Sequence, residues 1–327
     1  MKAAWYTKNG EAQEVLQVGE LPTPEPGPGE VRVKLVSSGV NPSDVKSRRS
    51  RPITDDLIIP HSDGAGVIDA VGAGVDASRM GERVWVWNGQ WQRPWGTAAQ
   101  AIVLAQEQAV SLPANTDFNA AACFGIPALT AIEAVHLAGD LKGKTVLVTG
   151  ASSAVGHYVS QLVVLAGGRV IGTVGSKAKA EHASQAGVAH CIFYKTEPVA
   201  QRVKELTQGR GADIIIDMDF SSTAGLITQG VLASHGTLVG YGSNVNGDIA
   251  VSWRPLLTGS INLRFFLVYD LSAEHRAYGL RRLGELLQSQ QLQHSIGPVF
   301  KLDQIAAAHE VVEAGQTIGN IVLDLRS

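Results

Sequence analysis

The sequence predicts an α/β chain in which a doubly wound parallel sheet interrupts a partly open β-barrel. Three observations predict it. The first third alternates apolar and polar residues in short runs broken by glycine and proline. From near residue 120, short apolar runs alternate with helical patterns. The tail then returns to a mixed pattern. A length of 327 residues exceeds what one core usually organises, so two domains are expected.

In the first third, Val31-Arg32-Val33-Lys34-Leu35-Val36 has the period of a half-buried strand. It follows Pro22-Thr23-Pro24-Glu25-Pro26-Gly27-Pro28-Gly29, a turn-forming stretch that cannot pair within a sheet. Further strands are expected at Gly66 to Val71, Arg83 to Trp87 and Ala98 to Leu104.

In the middle, Lys144-Thr145-Val146-Leu147-Val148-Thr149 reads as a strand covered on both faces and ended by Gly150. Val155, Val159, Leu162, Val163 and Ala166 then form one apolar helical face, stopped by Gly167-Gly168. Strands follow at Arg169 to Val174, Cys191 to Phe193, Ala212 to Asp217 and Thr237 to Gly240. Between them, helices are expected up to Gly187, over Val199 to Leu206 and over Thr223 to Ala233. This alternation specifies right-handed βαβ units and a parallel sheet. The tail predicts helices from Ala273 to Gln290 and Asp303 to Ala314, and a last strand at Ile321 to Leu325. The expected partition is therefore 1–122 with 268–327 as one domain and 123–267 as the nucleotide-binding one.

Composition narrows the function. Apolar residues make up 45% and charged residues 17%, as in a packed globule. A net charge of −3 offers no basic excess to neutralise a phosphate backbone, which argues against a nucleic-acid partner. No run of about 18 apolar residues and no basic-then-apolar leader is present, so no membrane partner and a cytoplasmic location are expected. Only two cysteines occur, Cys123 and Cys191, both in segments that read as buried. Two thiols cannot build a disulfide framework or a four-thiolate zinc site.

After the first strand of the central domain comes Gly150-Ala151-Ser152-Ser153-Ala154-Val155-Gly156. Small residues there allow a tight turn, close backbone approach to a pyrophosphate, and a helix N-terminus aimed at it. Ser153 and Ala154 stand where glycines are usual, so the strand–turn–helix setting carries the reading more than the string does. At the end of the second strand, Thr173-Val174-Gly175-Ser176-Lys177-Ala178-Lys179 lacks the acid that would bind an NAD ribose. A hydroxyl and two cations suit a 2′-phosphate instead, which favours NADPH. The alternative is that Lys177 and Lys179 merely solvate the start of a helix.

Several motifs then occur in a familiar order: Gly39-Val40-Asn41-Pro42-Ser43-Asp44, His61-Ser62-Asp63-Gly64-Ala65-Gly66-Val67-Ile68, Gly81-Glu82-Arg83-Val84 and Pro127-Ala128-Leu129-Thr130-Ala131. Val148-Thr149-Gly150-Ala151-Ser152, Val239-Gly240-Tyr241-Gly242-Ser243 and Gly319-Asn320-Ile321-Val322-Leu323 complete the series. Across nearly its whole length the chain resembles the zinc-free medium-chain dehydrogenase/reductases, in the quinone oxidoreductase and ζ-crystallin group. The resemblance implies a Rossmann-type sheet inserted in a GroES-like catalytic domain, NADPH as cofactor, and a homodimer paired through the strand near Ile261 to Leu267. Zinc-dependent relatives carry Cys where this chain has Asn41 and a His–Glu pair where it has His61-Ser62. His61 alone cannot complete a tetrahedral site, so no metal is expected and His61 reads as structural.

Carried over by position, Asn41 and Thr130 would lie near the nicotinamide and its ribose. Gly150, Ser152, Ser153, Ala154, Val155 and Gly156 would hold the pyrophosphate. Ser176, Lys179 and Tyr194 would bind the 2′-phosphate, although Tyr194 could simply cap a strand. Gly240, Tyr241, Gly242, Ser243, Phe266 and Val268 would line the nicotinamide, with Asn320 completing the cofactor set. Two departures stand out: Gly315 occupies the position of an arginine that holds the 2′-phosphate in the bacterial branch, and Val45, Lys46 and Ser47 replace tyrosines of some relatives.

The implied chemistry is hydride transfer to a quinone or enone, with charge building on a carbonyl oxygen that Asn41 or a backbone amide could stabilise. A proton could come from water. Four of the six tryptophans lie between Trp85 and Trp95. Trp91 and Trp95 would wall a planar substrate, with core packing as the alternative, which is stronger for Trp85 and Trp87. Enoyl, alkenal or haloacrylate reduction on the same scaffold, and a non-catalytic NADPH-binding crystallin-like role, are the competing readings.

Overall fold

In the computed structural model, which describes residues 1–326, β1 (Lys2–Trp5) and β2 (Gln17–Glu20) pair antiparallel ahead of the proline-rich stretch. The next strand, β3 (Glu30–Val40), organises the N-terminal sheet. Its alternation works as expected: Val31, Val33 and Leu35 are buried. Arg32 points outward and meets Asp69 at 2.8 Å and Glu25 at 2.7 Å. One edge of β3 pairs with β4 (Asp63–Val71). β4 in turn pairs with β5 (Arg83–Val86). The other edge of β3 is shared, and β6 (Ala101–Ala105) takes Glu30 to Lys34. β7 (Ala109–Ser111) extends the sheet beyond β5.

The second sheet begins with β8 (Thr145–Val148) and continues through β9 (Arg169–Val174), β10 (His190–Phe193), β11 (Ala212–Asp217), β12 (Leu232–Gly240) and β13 (Asn262–Phe265). Its order is β10-β9-β8-β11-β12-β13, and every ladder is parallel. Strand order reverses at β8, the place where doubly wound folds bind ligands beyond the strand C-termini. Leu147, Ile171, Ile192, Ile215 and Leu238 form the interior that this sheet shares with its helices. Fully burying each such side chain is worth about 1.5–3 kcal/mol.

The chain then returns to the first sheet through β14 (Ile296–Lys301) and β15 (Asn320–Asp324). β15 pairs with Ser37 to Val40, the stretch of β3 that β6 leaves open. No ladder closes this sheet into a complete barrel among the described residues. Among the described residues, no helix is long and apolar enough to cross a membrane.

Two compact units result: residues 1–126 with 294 onward, and residues 127–293. The C-terminal border falls later than the expected 267/268 because helix Ala273–Gln288 packs on helix Leu129–Ala138. The helix expected over Thr223 to Ala233 instead spans Phe220–Ile227, and Gly230 (φ +72°) turns the chain into β12 at Leu232. Trp87 lies just beyond β5 and is half-buried, whereas Trp85 is enclosed edge-on to Phe124. Cys123 is buried as expected, but Cys191 is only partly so.

Candidate functional site

The loop after β8 is shaped by backbone contacts. Gly150 has φ +63°, a left-handed conformation that favours glycine, and its N–H donates to Thr173 Oγ1 at 2.9 Å. A Cβ on Gly156 would lie 2.2 Å from the Gly150 carbonyl oxygen, and one on Gly172 would lie 2.6 Å from Ala151 Cβ. Loop, helix and strand are thus pressed together. Ser153 caps helix Ala154–Leu165 by accepting the Gly156 N–H at 3.0 Å. Ala154 and Val155 occupy the first turn, where N–H groups lack intrahelical acceptors. The result is a small-residue cradle with a helix N-terminus, suited to an anionic group.

Beside it, at the end of β9, Ser176 caps helix Lys177–Gln185 and accepts the Lys179 N–H at 3.3 Å. The register of β10 on β9 pairs Phe193 with Val174. Tyr194 is therefore placed next to Gly175, and a Cβ there would be 3.3 Å from the Tyr194 hydroxyl and 3.7 Å from Lys195 Cε. Burial, and secondarily the Lys195 charge, lower the pKa of Lys179. Ser176 and Lys179 thus lie at the start of one helix after β9, and Tyr194 and Lys195 lie against the neighbouring Gly175.

Beyond β11 and β12 lies a more enclosed corner. Asp217 is fully buried, and its Oδ1 accepts from Thr149 and Thr223 hydroxyls, each at 2.7 Å. Burial raises its pKa despite these bonds. The Tyr241 hydroxyl is enclosed, and burial followed by the Asp217 charge pushes its pKa up. Asp217 Oδ2 makes no hydrogen bond among the described residues, the mark of a group that a polar ligand or water completes. Met218 lies across Gly150, where an added Cβ would meet its sulfur at 2.0 Å. A Cβ built on Gly242 would likewise lie within 2.5 Å of the Met218 carbonyl oxygen. The Ser243 hydroxyl donates to the Val245 carbonyl at 2.8 Å, and the Phe266 N–H reaches the Gly240 carbonyl at 3.4 Å. Val268 is buried, and its carbonyl is taken by Arg276. Thr130 is buried in helix Leu129–Ala138.

In the first unit, Asn41 begins helix Pro42–Ser50 and is buried. Its Nδ2 donates to Asp63 Oδ2 at 2.9 Å, and its backbone N–H donates to Asp44 Oδ2 at 2.8 Å. Asp63 also accepts the Ile126 N–H at 3.0 Å. Burial pushes the Asp44 carboxyl up to about 7. The Asp63 carboxyl is raised as well, first by burial and then by the Asp44 charge. Asn320 spends its amide nitrogen on the Ser295 carbonyl at 2.9 Å, which leaves its Oδ1 for other partners.

Both ring nitrogens of His61 have side-chain partners. Its Nδ1 lies 2.9 Å from Ser38 Oγ and its Nε2 lies 2.9 Å from His309 Nε2. Burial brings its pKa down to about 3. Both ring nitrogens are committed inside the fold, and no group of three metal-ligating side chains is assembled among the described residues. Gly315 ends helix Ile305–Ala314 with φ +60°, a left-handed cap that favours glycine.

Of the tryptophans, Trp95 packs against the core of the first unit. Trp91 is half-buried beneath the Arg51 guanidinium, 5.4 Å from its ring centroid. The sequence reading missed Gly172, Asp217 and Lys195. A glycine inside an apolar strand was the available signal for the first, since it marks close backbone approach. An acid ending an apolar run was the signal for the second. Lys195 had none, because its neighbours come from another strand.

Two family models match the chain: the alcohol dehydrogenase GroES-like domain over residues 27–114, and the zinc-binding dehydrogenase domain over residues 154–283. A quinone oxidoreductase of Pseudomonas aeruginosa is 32% identical, covering 95% of this chain and 95% of its own. A 2-haloacrylate reductase of a Burkholderia species is 29% identical, covering 99% and 98%. Among solved structures, an NAD-dependent alcohol dehydrogenase superposes with a TM-score of 0.90 at 27% identity, over 100% of both chains. A mycobacterial protein solved with NADPH gives 0.87 at 26% identity, over 99% of this chain and 100% of that one.

Proposed function

This chain belongs to the quinone oxidoreductase branch of the medium-chain dehydrogenase/reductase family, and from that premise we propose an NADPH-dependent reductase of quinones or other α,β-unsaturated carbonyls. The cradle at Gly150, Gly156 and Gly172 carries the nucleotide half of this reading, since it is space that a Cβ would fill. The orphaned Asp217 Oδ2 in the neighbouring corner fits a polar group that arrives from outside the chain. Ser152 to Val155 would hold the pyrophosphate by backbone amides. Ser176, Lys179 and Tyr194 would hold the 2′-phosphate, and the absence of an acid after β9 favours NADPH over NADH. When bound, the nicotinamide supplies the hydride.

The residues of the chain supply orientation and charge stabilisation. Asp63 fixes one N–H of the Asn41 amide, and the same nitrogen carries a second N–H for a substrate carbonyl oxygen that gains negative charge. Thr130 would contact the nicotinamide ribose. Trp91, half-buried at the surface of its unit, would stack on a planar acceptor. The final proton would come from water. The reading routes no step through a metal, and the bonds of the His61 ring nitrogens to Ser38 and His309 support it. The likeness to a 2-haloacrylate reductase favours, as a second reading, an activated alkene as the acceptor. The same family premise carries a homodimer. Exposed Trp253, Leu257, Phe265 and Leu267 on and beside edge strand β13 are the surface it would cover.

The test follows NADPH consumption with 1,4-benzoquinone, 9,10-phenanthrenequinone, a simple enone and 2-chloroacrylate, with and without chelator. Chelator-insensitive turnover supports the reading, and the preferred acceptor selects between its two forms. NADPH binding with no turnover on any acceptor contradicts it.

A further inference from the structure

Lys195 belongs to none of the interactions described for the fold. It is exposed, follows β10, and reaches the end of β9 with its Cε 3.7 Å from where a Gly175 side chain would begin. Tyr194 lies against the same glycine. Lys179 stands in the first turn of the helix that Ser176 caps, close enough to feel the Lys195 charge. The nearest acid in sequence, Glu197, is turned away: its Oε2 accepts the Phe193 N–H at 2.6 Å and its Oε1 meets Arg202 at 3.1 Å. No carboxylate pairs with Lys195 among the described residues. Two ammonium groups thus share one corner with a phenol and a hydroxyl, and nothing from the chain neutralises the second cation. Like charges so placed disfavour each other unless an anion lies between them.

We infer that Lys195 is a specificity-determining residue that, together with Lys179, clasps the 2′-phosphate of NADPH. The inference rests on the NADPH reading above and adds to it a residue from the neighbouring strand. A phosphate monoester is a dianion at neutral pH, so two lysines match its charge where one does not. Lysine on a flexible stem suits an open corner, acting as a point charge rather than a rigid fork. The absent side chain at Gly175 keeps the approach clear. Discrimination follows directly, because NADH offers these cations no phosphate.

The test is calorimetric titration of 2′,5′-ADP and 5′-AMP into the wild-type chain, Lys195→Ala and Lys195→Arg, at low and high salt. Lys195→Ala is expected to bind 2′,5′-ADP about tenfold more weakly with 5′-AMP unchanged, a loss that shrinks as salt screens the contact. Lys195→Arg is expected to stay within about twofold of wild type, since the charge is retained. Unaltered 2′,5′-ADP binding by Lys195→Ala, in a wild type that prefers 2′,5′-ADP, overturns the role of Lys195 alone. Equal losses for both nucleotides overturn it too, as they would report a damaged loop. A wild type that binds the two nucleotides alike overturns the NADPH reading, and this inference with it.

Discussion

The glycine loop after β8 and the lysine corner after β9 end adjacent strands of one sheet, yet they are built by opposite means. The loop is closed shape: Gly150, Gly156 and Gly172 exist to remove atoms, and a Cβ at Gly156 would stand 2.2 Å from a backbone oxygen. The corner is open charge: Ser176, Tyr194 and Lys195 are exposed, and Lys179 is partly so. The loop should therefore govern whether any dinucleotide binds, and the corner which one. A site made by exclusion fails when volume is added. A site made by charge fails when charge is removed.

The largest effect is expected from adding volume to the loop. Gly156→Val should abolish measurable binding of NADPH and NADH together and lower stability by about 1–3 kcal/mol through overpacking. Dinucleotide titration beside thermal unfolding checks this, and a variant that lost only NADPH would break the contrast. Next comes removal of both cations. Lys179→Ala with Lys195→Ala should weaken NADPH by about 100-fold, roughly tenfold for each charged contact, and leave NADH and the unfolding midpoint nearly unchanged.

The first unit repeats the contrast with tryptophans. Trp95→Ala should cost stability, about 1–3 kcal/mol, because its ring packs on the core. Trp91→Ala should instead raise KM for a planar quinone about three- to tenfold with stability kept, the worth of one aromatic contact. Equal kinetics for Trp91→Ala and wild type on every acceptor would remove Trp91 from the substrate wall.

A different kind of effect concerns a charge held inside. Asp44 is raised to about 7 by burial, so the folded chain holds a proton that the unfolded chain releases near the ordinary value of 3.8. Its contribution to stability is thus present at low pH and lost as pH rises from about 4 to about 7, by at most about 1.4 kcal/mol per unit. His61, lowered to about 3, acts in the opposite sense, since the unfolded imidazole takes the proton first and stability rises with pH toward its ordinary 6.5. The wild-type profile mixes the two. The difference between wild type and Asp44→Asn isolates the carboxyl, and a difference that does not grow across that window would contradict the assignment.

The same contrast explains what could be read without a structure. The parallel sheet was legible because β8, β9, β11 and their helices carry strong local patterns, and the loop was legible because it is contiguous. Helix Val199–Leu206 and strand Ala212–Asp217 fell where periodicity put them. The helix before β12 was overextended because Val231, Leu232 and Ala233 suit either state, and Gly230 alone marks the turn. Helix Ala273–Gln288 was assigned to the first domain, since nothing local in the sequence reveals that it packs on helix Leu129–Ala138. Lys195 and the Asn41–Asp63 bond were illegible for one reason: each joins segments that only strand pairing or tertiary packing brings together.

The central claim is that this scaffold is an NADPH-selective reductase, and the ratio of kcat/KM for NADPH over NADH, with 9,10-phenanthrenequinone as common acceptor, tests it most directly. The lysine corner predicts turnover with both and a ratio of at least about tenfold in favour of NADPH, shrinking as ionic strength rises. A ratio near or below unity, or binding of NADPH without oxidation, would contradict it.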